Sequence, residues 1–319
     1  MSVWRSGIAV IVAWFIAATA SAQDATRPAR IIVPFPPGGI NDVVARVLAQ
    51  RIGERWGQTI LVENRAGGGT IIGTEVVAKA APDGHTLLLT SIAHAINPSI
   101  YKSLPYDPRA FTPISLIVAS PFILSVRPSL PAQNVKELVA LARAQPGKLT
   151  YSSTGSGGSS HLMGEMLRSM AGYVAVHVPY KGMTPAVADV MGGQVDFTFG
   201  SYSSTGQFIR AGRLRALGVS SQKRLAVMPE LPTIAEQGYP DFDANPWWGL
   251  VLPSGTPESI AARWHAEVVR IVRSLDVTKA WQEQGLEIIA STPADYARHF
   301  EAEVARWAKI VKASGATAE

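Results

Sequence analysis

The 319-residue sequence contains no cysteine. This absence excludes disulfide bonds, thiolate metal ligands and an N-terminal cysteine available for acylation, so we predict no lipid anchor. A chain of this length builds a core large enough to fold without disulfides. Apolar residues make up 47% of the chain and charged residues 17%. The composition indicates a globular protein, and the length allows two domains of ~100–200 residues each.

Long apolar runs are missing after the first 22 residues. Residues 1–22 contain Arg5, an apolar stretch over 7–18 and an Ala-Ser-Ala triplet at 20–22. This layout is typical of a secretory signal peptide. An uncleaved membrane anchor is the alternative, but polar Thr19 interrupts the stretch before it reaches the ~20 residues that a span requires. The sequence therefore predicts export, and a mature protein that is free in the periplasm.

Runs of charge of one sign are absent as well. The chain has 29 basic and 24 acidic residues, for a formal net charge of +5. The basic residues are scattered, and no aromatic residues are interleaved with them, so we predict no nucleic-acid partner. The small positive excess instead favours mild attraction of small anions.

Motifs for metals, phosphates and dinucleotides are also lacking. The six histidines are dispersed, and no His-Glu-x-x-His occurs. Neither glycine cluster fits the P-loop or the G-x-G-x-x-G pattern. No pair of carboxylates has a spacing that indicates acid–base catalysis. We therefore predict neither a metal nor a cofactor.

Strand and helix signals alternate along the chain, which predicts an α/β protein with mixed, mainly parallel sheets flanked by helices. Strands are predicted at Arg30–Phe35, Ile60–Glu63, His85–Thr90, Ile114–Ala119, Phe122–Val126, Leu149–Ser152, Val195–Phe199 and Arg213–Ser221. Helices are predicted after Asn41, at Gly73–Ala80, from Asn134 to Ala144, over Leu162–Met170, up to Met191, at Pro257–Ser274 and at Pro293–Ala313. Residues 97–115 are rich in proline and are predicted to form a loop.

Two segments share the order strand, glycine-rich loop, helix. The first is RIIVPFPPGGINDVVARVLAQ (30–50), in which Asn41 or Asp42 is expected to cap the helix. The second, KLTYSSTGSGGSSHLMGEMLRSMAG (148–172), follows about 120 residues later. The first N–H groups of a helix have no partner within it, and together with the helix dipole they favour an anion. Two such loops facing each other would hold a small anion from both sides.

Two further features leave alternatives open. Ser156 and His161 raise the possibility of a serine hydrolase, although no serine of the loop has glycines two positions before and two after it, as a nucleophile elbow requires. The pair Trp247-Trp248 is expected to pack at a domain junction, with a pocket wall as the alternative.

Several segments resemble the solute receptors of tripartite tricarboxylate transporters, the Bug-type binding proteins. They are VPFPPGGINDVVAR (33–46), VENRAGGGTIIG (62–73), AKAAPDGHTLL (78–88), NPSIYKSLPYDPRAFTPIS (97–115), HVPYKGMTPAVADVMGGQVDF (177–197) and LPSGTP (252–257). They occur in order and cover nearly all of the mature chain.

The resemblance implies the fold of a type II periplasmic binding protein, with two α/β domains around a ligand cleft. The domains would be residues 23–120 with 249–319, and residues 121–248, after a signal peptide at 1–22. The implied function is capture, without catalysis, of a small carboxylate: a di- or tricarboxylate, an acidic amino acid or an aromatic acid. The receptor would be a monomer that serves either integral-membrane permease subunits or, as an orphan receptor, a sensor kinase.

The resemblance also implies which residues bind the ligand, chiefly through backbone amides and hydroxyl groups. The first loop would contribute Pro37, Gly38, Gly39, Ile40 and Asn41. The second loop would contribute Ser153, Thr154, Gly155, Ser156 and Ser160, with His161 adjacent. Further walls would be the loop Ser91, Ile92, Ala93 and His94 and the strand end Gly200, Ser201 and Tyr202. Many members carry a small hydroxyl residue where this chain has Asn41, and Ile40 is bulky, which favours a partly apolar ligand.

Overall fold

A computed structural model describes residues 27–317, so the predicted signal peptide lies outside the described residues. The described chain forms two mixed β-sheets flanked by helices, as predicted. It builds most of the first sheet, crosses to the second sheet after Ser120, and returns with the strand that begins at Trp247.

The first sheet has six strands in the order β11-β4-β10-β3-β1-β2. Their bounds are β1 Ala29–Val33, β2 Ile60–Asn64, β3 Thr86–Ser91, β4 Phe111–Ala119, β10 Trp247–Pro253 and β11 Glu287–Ile288. β1 runs parallel to β2 and β3, whereas β10 is antiparallel to both β3 and β4. The returning strand β10 is thus inserted between β3 and β4, in the middle of a sheet whose other long strands come from the first 119 residues.

The second sheet has five strands in the order β7-β6-β8-β5-β9. Their bounds are β5 Phe122–Val126, β6 Thr150–Ser153, β7 Val176–Pro179, β8 Phe197–Ser201 and β9 Arg215–Val219. β6 runs parallel to β7 and β8, and β5 is antiparallel to β8 and β9. Both sheets therefore combine a parallel half with an antiparallel half.

Ten α-helices pack on these sheets in the described chain. Their bounds are α1 Ile40–Trp56, α2 Ile71–Ala78, α3 Ile92–Ile100, α4 Val135–Ala144, α5 Ser159–Ala171, α6 Met183–Met191, α7 Tyr202–Arg210, α8 Glu258–Val272, α9 Leu275–Gln282 and α10 Pro293–Ser314. Within residues 27–317, no helix combines the length and apolar character that crossing a membrane requires.

The local sequence accounts for these elements. β1 and β3 are buried on both faces, which explains their unbroken apolar runs. The predicted cap of α4 is confirmed: Asn134 accepts a hydrogen bond of 2.9 Å from the Glu137 amide, and the Glu137 carboxylate accepts one of 2.7 Å from the Gln133 amide. The first bond satisfies an amide that the helix itself leaves unbonded, and the second fixes the residue before the cap.

Three sequence predictions are wrong. The sheets are not mainly parallel, because four strand pairings are parallel and five are antiparallel. Residues 97–115 are not one loop, since α3 continues through Pro98 to Ile100 and β4 starts at Phe111. Neither Asn41 nor Asp42 caps α1, because the helix already starts at Ile40 and its N-cap is Gly39.

Packing explains why these elements were hard to predict. α3 keeps its helical form around a proline because it packs along α10, and the Asn97 side chain bonds the Gly69 carbonyl at 3.0 Å. The sequence predictions also lack β7, β10, β11, α7 and α9. β7 is a short edge strand with exposed Val176, and the sequence predicts junction packing, not a strand, for the two tryptophans that open β10.

Candidate functional site

Six helices begin at the carboxyl ends of parallel strands. In the first sheet β1, β2 and β3 lead into α1, α2 and α3, and in the second sheet β6, β7 and β8 lead into α5, α6 and α7. Parallel strands end at a common edge, so each sheet has one edge that carries three helix N-termini. Ligands of open α/β sheets bind outside this edge.

The strand register places both of these edges near Ser120, where the chain passes from the first sheet to the second. In the first sheet Ser91, at the end of β3, lies opposite Trp248, which in turn lies opposite Val118. In the second sheet Ser201, at the end of β8, lies opposite Phe122. Val118 and Phe122 are four residues apart in the chain. The carboxyl edges therefore flank the point at which the chain passes between the sheets.

The first glycine loop is organised by Asp42. Gly38 adopts φ +92°, and its amide donates to the Asp42 carboxylate at 3.2 Å. Arg46 and Asn64 donate to the same carboxylate at 2.9 and 3.1 Å. Burial opposes the charge on Asp42, but these hydrogen bonds and the charge of Arg46 outweigh it, so the pKa of this carboxyl lies below its usual value. Asp42 thus fixes the loop, and the Gly38 amide is already used.

Other amides of this helix start are available. Within the described chain, the N–H groups of Gly39, Ile40 and Asn41 have no hydrogen-bond acceptor. Pro37, Gly38 and Gly39 are exposed, whereas Ile40 is buried beneath them. Arg46 neutralises Asp42, so the edge does not repel an anion. The first loop therefore offers three donors with the positive end of a helix dipole behind them.

The second glycine loop is held by its own side chains. The Thr154 amide donates to the Ser160 hydroxyl at 3.0 Å, and the Gly155 amide donates to the Ser153 hydroxyl at 3.1 Å. The Gly157 amide donates to Nδ1 of His161 at 3.0 Å. Among the described residues, the amides of Ser156, Ser159, Ser160 and His161 have no acceptor. The three bonded amides and that of Gly158, which donates to the Gly155 carbonyl at 3.2 Å, fix the loop, and the other amides remain for a ligand.

Two stacked histidines support this loop from below. The rings of His161 and His177 lie 4.0 Å apart between centroids, and Nε2 of His177 is 2.6 Å from the Ser153 hydroxyl. Burial lowers the pKa of His161. Burial, and then the neighbouring His161, lower the pKa of His177 to about 4. Both rings are therefore neutral at pH 7. His177 is not among the site residues predicted from the sequence, although it begins the segment 177–197 that carries part of the family resemblance.

We expect acid to loosen the second loop. Nδ1 of His161 accepts the Gly157 amide only while it is unprotonated, and the nearby Glu165 and Arg168 have opposing effects on its pKa. The bond is therefore intact at pH 7, where the ring is neutral, and it is lost as the pH falls through the lowered pKa of His161 and the ring becomes protonated. We predict that anion affinity, measured by calorimetric titration, falls about tenfold more in the wild type than in His161→Gln, which cannot titrate. Equal losses in both proteins would contradict this role.

The segment predicted as a loop at 91–94 is the start of α3. Ser91 caps the helix, because its hydroxyl accepts a hydrogen bond of 3.3 Å from the Ala93 amide. The His94 ring is buried against Tyr106, Phe111 and Phe300, and Nε2 lies 3.0 Å from the Pro108 carbonyl. Burial lowers the pKa of His94 to about 4. Its side chain is engaged between α3 and α10, so only its backbone remains for the predicted site.

The predicted strand end at 200–202 opens α7. The Ser201 hydroxyl lies 3.0 Å from the hydroxyls of Ser203 and of Ser204. The Tyr202 ring packs back over Gly206, and its Cβ lies so close to Gly285 that a side chain there would be only 2.9 Å away. Tyr202 therefore connects the second edge to the segment that follows α9.

Two cavities lie away from these loops. One, of about 500 Å³, lies beside the edge strand β9 and is lined by Asn134, Arg215 and Met228 among others. The other, of about 110 Å³, lies between α3 and α10 around His94 and Phe300. Neither includes residues of the two glycine loops, so the candidate site rests on the helix starts and not on either cavity.

The arrangement gives no support to a hydrolase. Nδ1 of His161 is occupied by the Gly157 amide, and within residues 27–317 Ser156 has no hydrogen bond to a histidine. The described residues contain no group of three side chains that could hold a metal ion. What the two edges offer is a set of backbone amides, whose chemistry is reversible binding of an anion.

Comparison with known proteins agrees with this chemistry. The sequence profile described as tripartite tricarboxylate transporter family receptor matches residues 44–316. Among curated proteins, BugT of Bordetella pertussis is 37% identical over 314 residues, which cover 97% of this chain and 96% of BugT.

Solved structures extend the similarity to the fold. Rpa4515 of R. palustris with adipate superimposes with a TM-score of 0.87 at 36% identity, covering 92% of this chain and 98% of that one. MatC from Rhodopseudomonas palustris with bound malate gives a TM-score of 0.84 at 30% identity, with coverage of 89% and 99%. Both are structures of proteins with a carboxylate ligand.

Proposed function

This chain belongs to the tripartite tricarboxylate transporter family of receptors, and from that premise we propose that it captures a small carboxylate between its two sheets. Receptors of this family bind solutes and carry out no chemistry on them, and we propose the same of this chain. Relatives solved with adipate and with malate support a carboxylate as the ligand.

The observation that carries the proposal is the pair of helix starts beside the crossover. α1 has free amides at Gly39, Ile40 and Asn41, and α5 has free amides at Ser159 and Ser160. A carboxylate has two oxygens and about four acceptor positions, so amides from both edges can bond it at once. Hydrogen bonds to a charged group contribute ~1.5–3 kcal/mol each, which is enough for tight binding from a few amides.

We propose that the two halves act as lobes that close on the ligand. The lobes would be residues 23–120 with 249–319 and residues 121–248, joined by the crossing segments near Ser120 and Trp247. Support comes from sheet membership, since β5 to β9 form the second sheet and the other strands form the first. Ser120 donates to the carbonyl of Gly285 at 3.2 Å and anchors one crossing segment to the first lobe.

The partners follow from the family. We propose that the receptor works as a monomer in the periplasm, after removal of residues 1–22, and delivers its ligand to the permease subunits of a tripartite tricarboxylate transporter. Use of the same receptor by a sensor kinase is the second possibility that the sequence leaves open.

Calorimetric titration of the mature chain tests the proposal. The panel holds di- and tricarboxylates, acidic amino acids and aromatic acids, each at pH 7. We expect at least one to bind with a micromolar or lower Kd, because several charge-assisted hydrogen bonds form together. The amide of the same acid is the matched control, and it should bind at least ~100-fold more weakly because it carries no charge. Folded protein that binds no member of the panel would overturn the proposal.

A further inference from the structure

Two buried polar atoms at the carboxyl edge of the first sheet have no hydrogen-bond partner among the described residues: Oδ1 of Asn41 and Nε1 of Trp248. The Trp248 side chain is almost fully enclosed, with 5% of the residue exposed. Buried polar groups in native proteins are nearly always paired. An unpaired donor and an unpaired acceptor at the same edge therefore require an explanation.

Trp248 lies at this edge, because it is opposite Ser91 at the end of β3. Neighbouring residues of a strand project to opposite faces. Trp247 faces α10, since its ring contacts Tyr296 and its Nε1 donates to Glu303 at 3.1 Å. Trp248 therefore projects to the face of the first sheet that is opposite α10.

α1 lies on that same face. In the sheet order β11-β4-β10-β3-β1-β2, the connection from β1 through α1 leads to β2, which is one step to the right. The connection from β3 through α3 leads to β4, which lies in the opposite direction. Because such crossovers are right-handed, α1 and α3 cover opposite faces, and α3 packs against α10. β10 lies two strands from β1, or roughly 10 Å. The start of α1, with Asn41, and the ring of Trp248 thus share one face at one edge.

The chemistry of Nε1 of Trp248 and Oδ1 of Asn41 defines the hydrogen-bond partner that each requires. The indole N–H of tryptophan only donates, so it requires an acceptor oxygen, whereas Oδ1 of asparagine only accepts, so it requires a donor. With one carboxylate on the helix amides, a second carboxylate would satisfy Trp248, and a hydroxyl or ammonium group would satisfy Asn41. We propose that Trp248 and Asn41 select a dicarboxylate that carries a hydroxyl or ammonium group, an inference that rests on the proposed carboxylate receptor.

The test compares malate, succinate and butyrate by titration calorimetry on the wild type, Trp248→Phe and Trp247→Phe. Malate has a second carboxylate and a hydroxyl, succinate has only the carboxylate, and butyrate has neither. Trp248→Phe should bind malate and succinate about tenfold more weakly and butyrate unchanged, because only the N–H contact to the second carboxylate is lost.

Trp247→Phe is the matched control. This substitution removes the same atoms as Trp248→Phe, but from the neighbouring residue. The indole N–H of Trp247 donates to Glu303 and is therefore already paired. We expect unchanged affinities and a larger fall in melting temperature than in Trp248→Phe, whose N–H has no protein partner to lose. Asn41→Ala should abolish the preference for malate over succinate, which we expect to be about tenfold in the wild type.

The outcomes separate this inference from the proposed function. If the wild type binds no carboxylate, the proposed function fails. If the wild type binds malate but Trp248→Phe binds it equally well, or succinate is bound as tightly as malate, the receptor stands and the selection by Trp248 and Asn41 is refuted.

Discussion

Replacing Gly155 by valine is expected to abolish carboxylate binding, with a loss of at least ~100-fold in affinity. Gly155 has φ +124°, a conformation that a β-branched residue does not adopt, so the loop must rearrange. The rearrangement breaks the hydrogen bond from the Gly155 amide to Ser153 and displaces the neighbouring free amides. Loss of two hydrogen bonds to a charged ligand, at ~1.5–3 kcal/mol each, accounts for this magnitude. Titration calorimetry with the tightest ligand of the panel measures it.

Gly193→Val is the matched control for this variant. Gly193 also has a positive φ, +77°, and a side chain there would meet nothing within 4 Å, but it follows the far end of α6. The two variants should unfold at similar temperatures, while only Gly155→Val loses binding. Full affinity in a folded Gly155→Val protein would remove the second loop from the site.

Glu303→Ala is expected to lower the free energy of unfolding by about 3–5 kcal/mol, the range found when one partner of a buried charged network is removed. Glu303 is buried on α10 and accepts hydrogen bonds from Nε1 of Trp247 at 3.1 Å and from Nε1 of Trp307 at 3.0 Å. The substitution leaves two buried indole donors unpaired, each at ~1–3 kcal/mol. Urea denaturation followed by tryptophan fluorescence measures the change.

Glu301→Ala on the same helix supplies the comparison. Glu301 is exposed and pairs with exposed Arg109, so its removal should change stability by less than ~1 kcal/mol. Glu303→Gln keeps an acceptor oxygen and should fall between the two. A loss below 1 kcal/mol in Glu303→Ala would show that these indole groups find other partners.

Local signals predicted much of the fold. The two strand–glycine loop–helix units are present, with helix starts at Ile40 and Ser159, because glycine clusters and apolar periodicity act within a few residues. The Asn134 cap is confirmed for the same reason. Features that depend on partners distant in sequence were missed, such as the insertion of β10 between β3 and β4.

In the candidate site, too, the sequence predicted local features but not contacts between side chains. The sequence indicated which loops carry free amides, but not that Asp42 already occupies the Gly38 amide or that His177 supports Ser153. Those contacts depend on side-chain directions that spacing alone does not fix. The packing of the His94 ring against Phe111 and Phe300 is likewise not indicated by the local sequence, and it leaves the backbone of His94 for the predicted site.

The helix that begins at the second glycine loop also contacts Ser314, the last residue of α10. Arg168 of α5 donates to the Ser314 carbonyl at 2.9 Å, about 13 Å along the helix from its first residue. Because this hydrogen bond joins α5 to α10, we expect that a shift of the second glycine loop on ligand binding would move the end of α10 as well. A fluorescent label on exposed Lys312 would then report ligand binding as a change in its emission, without altering either glycine loop.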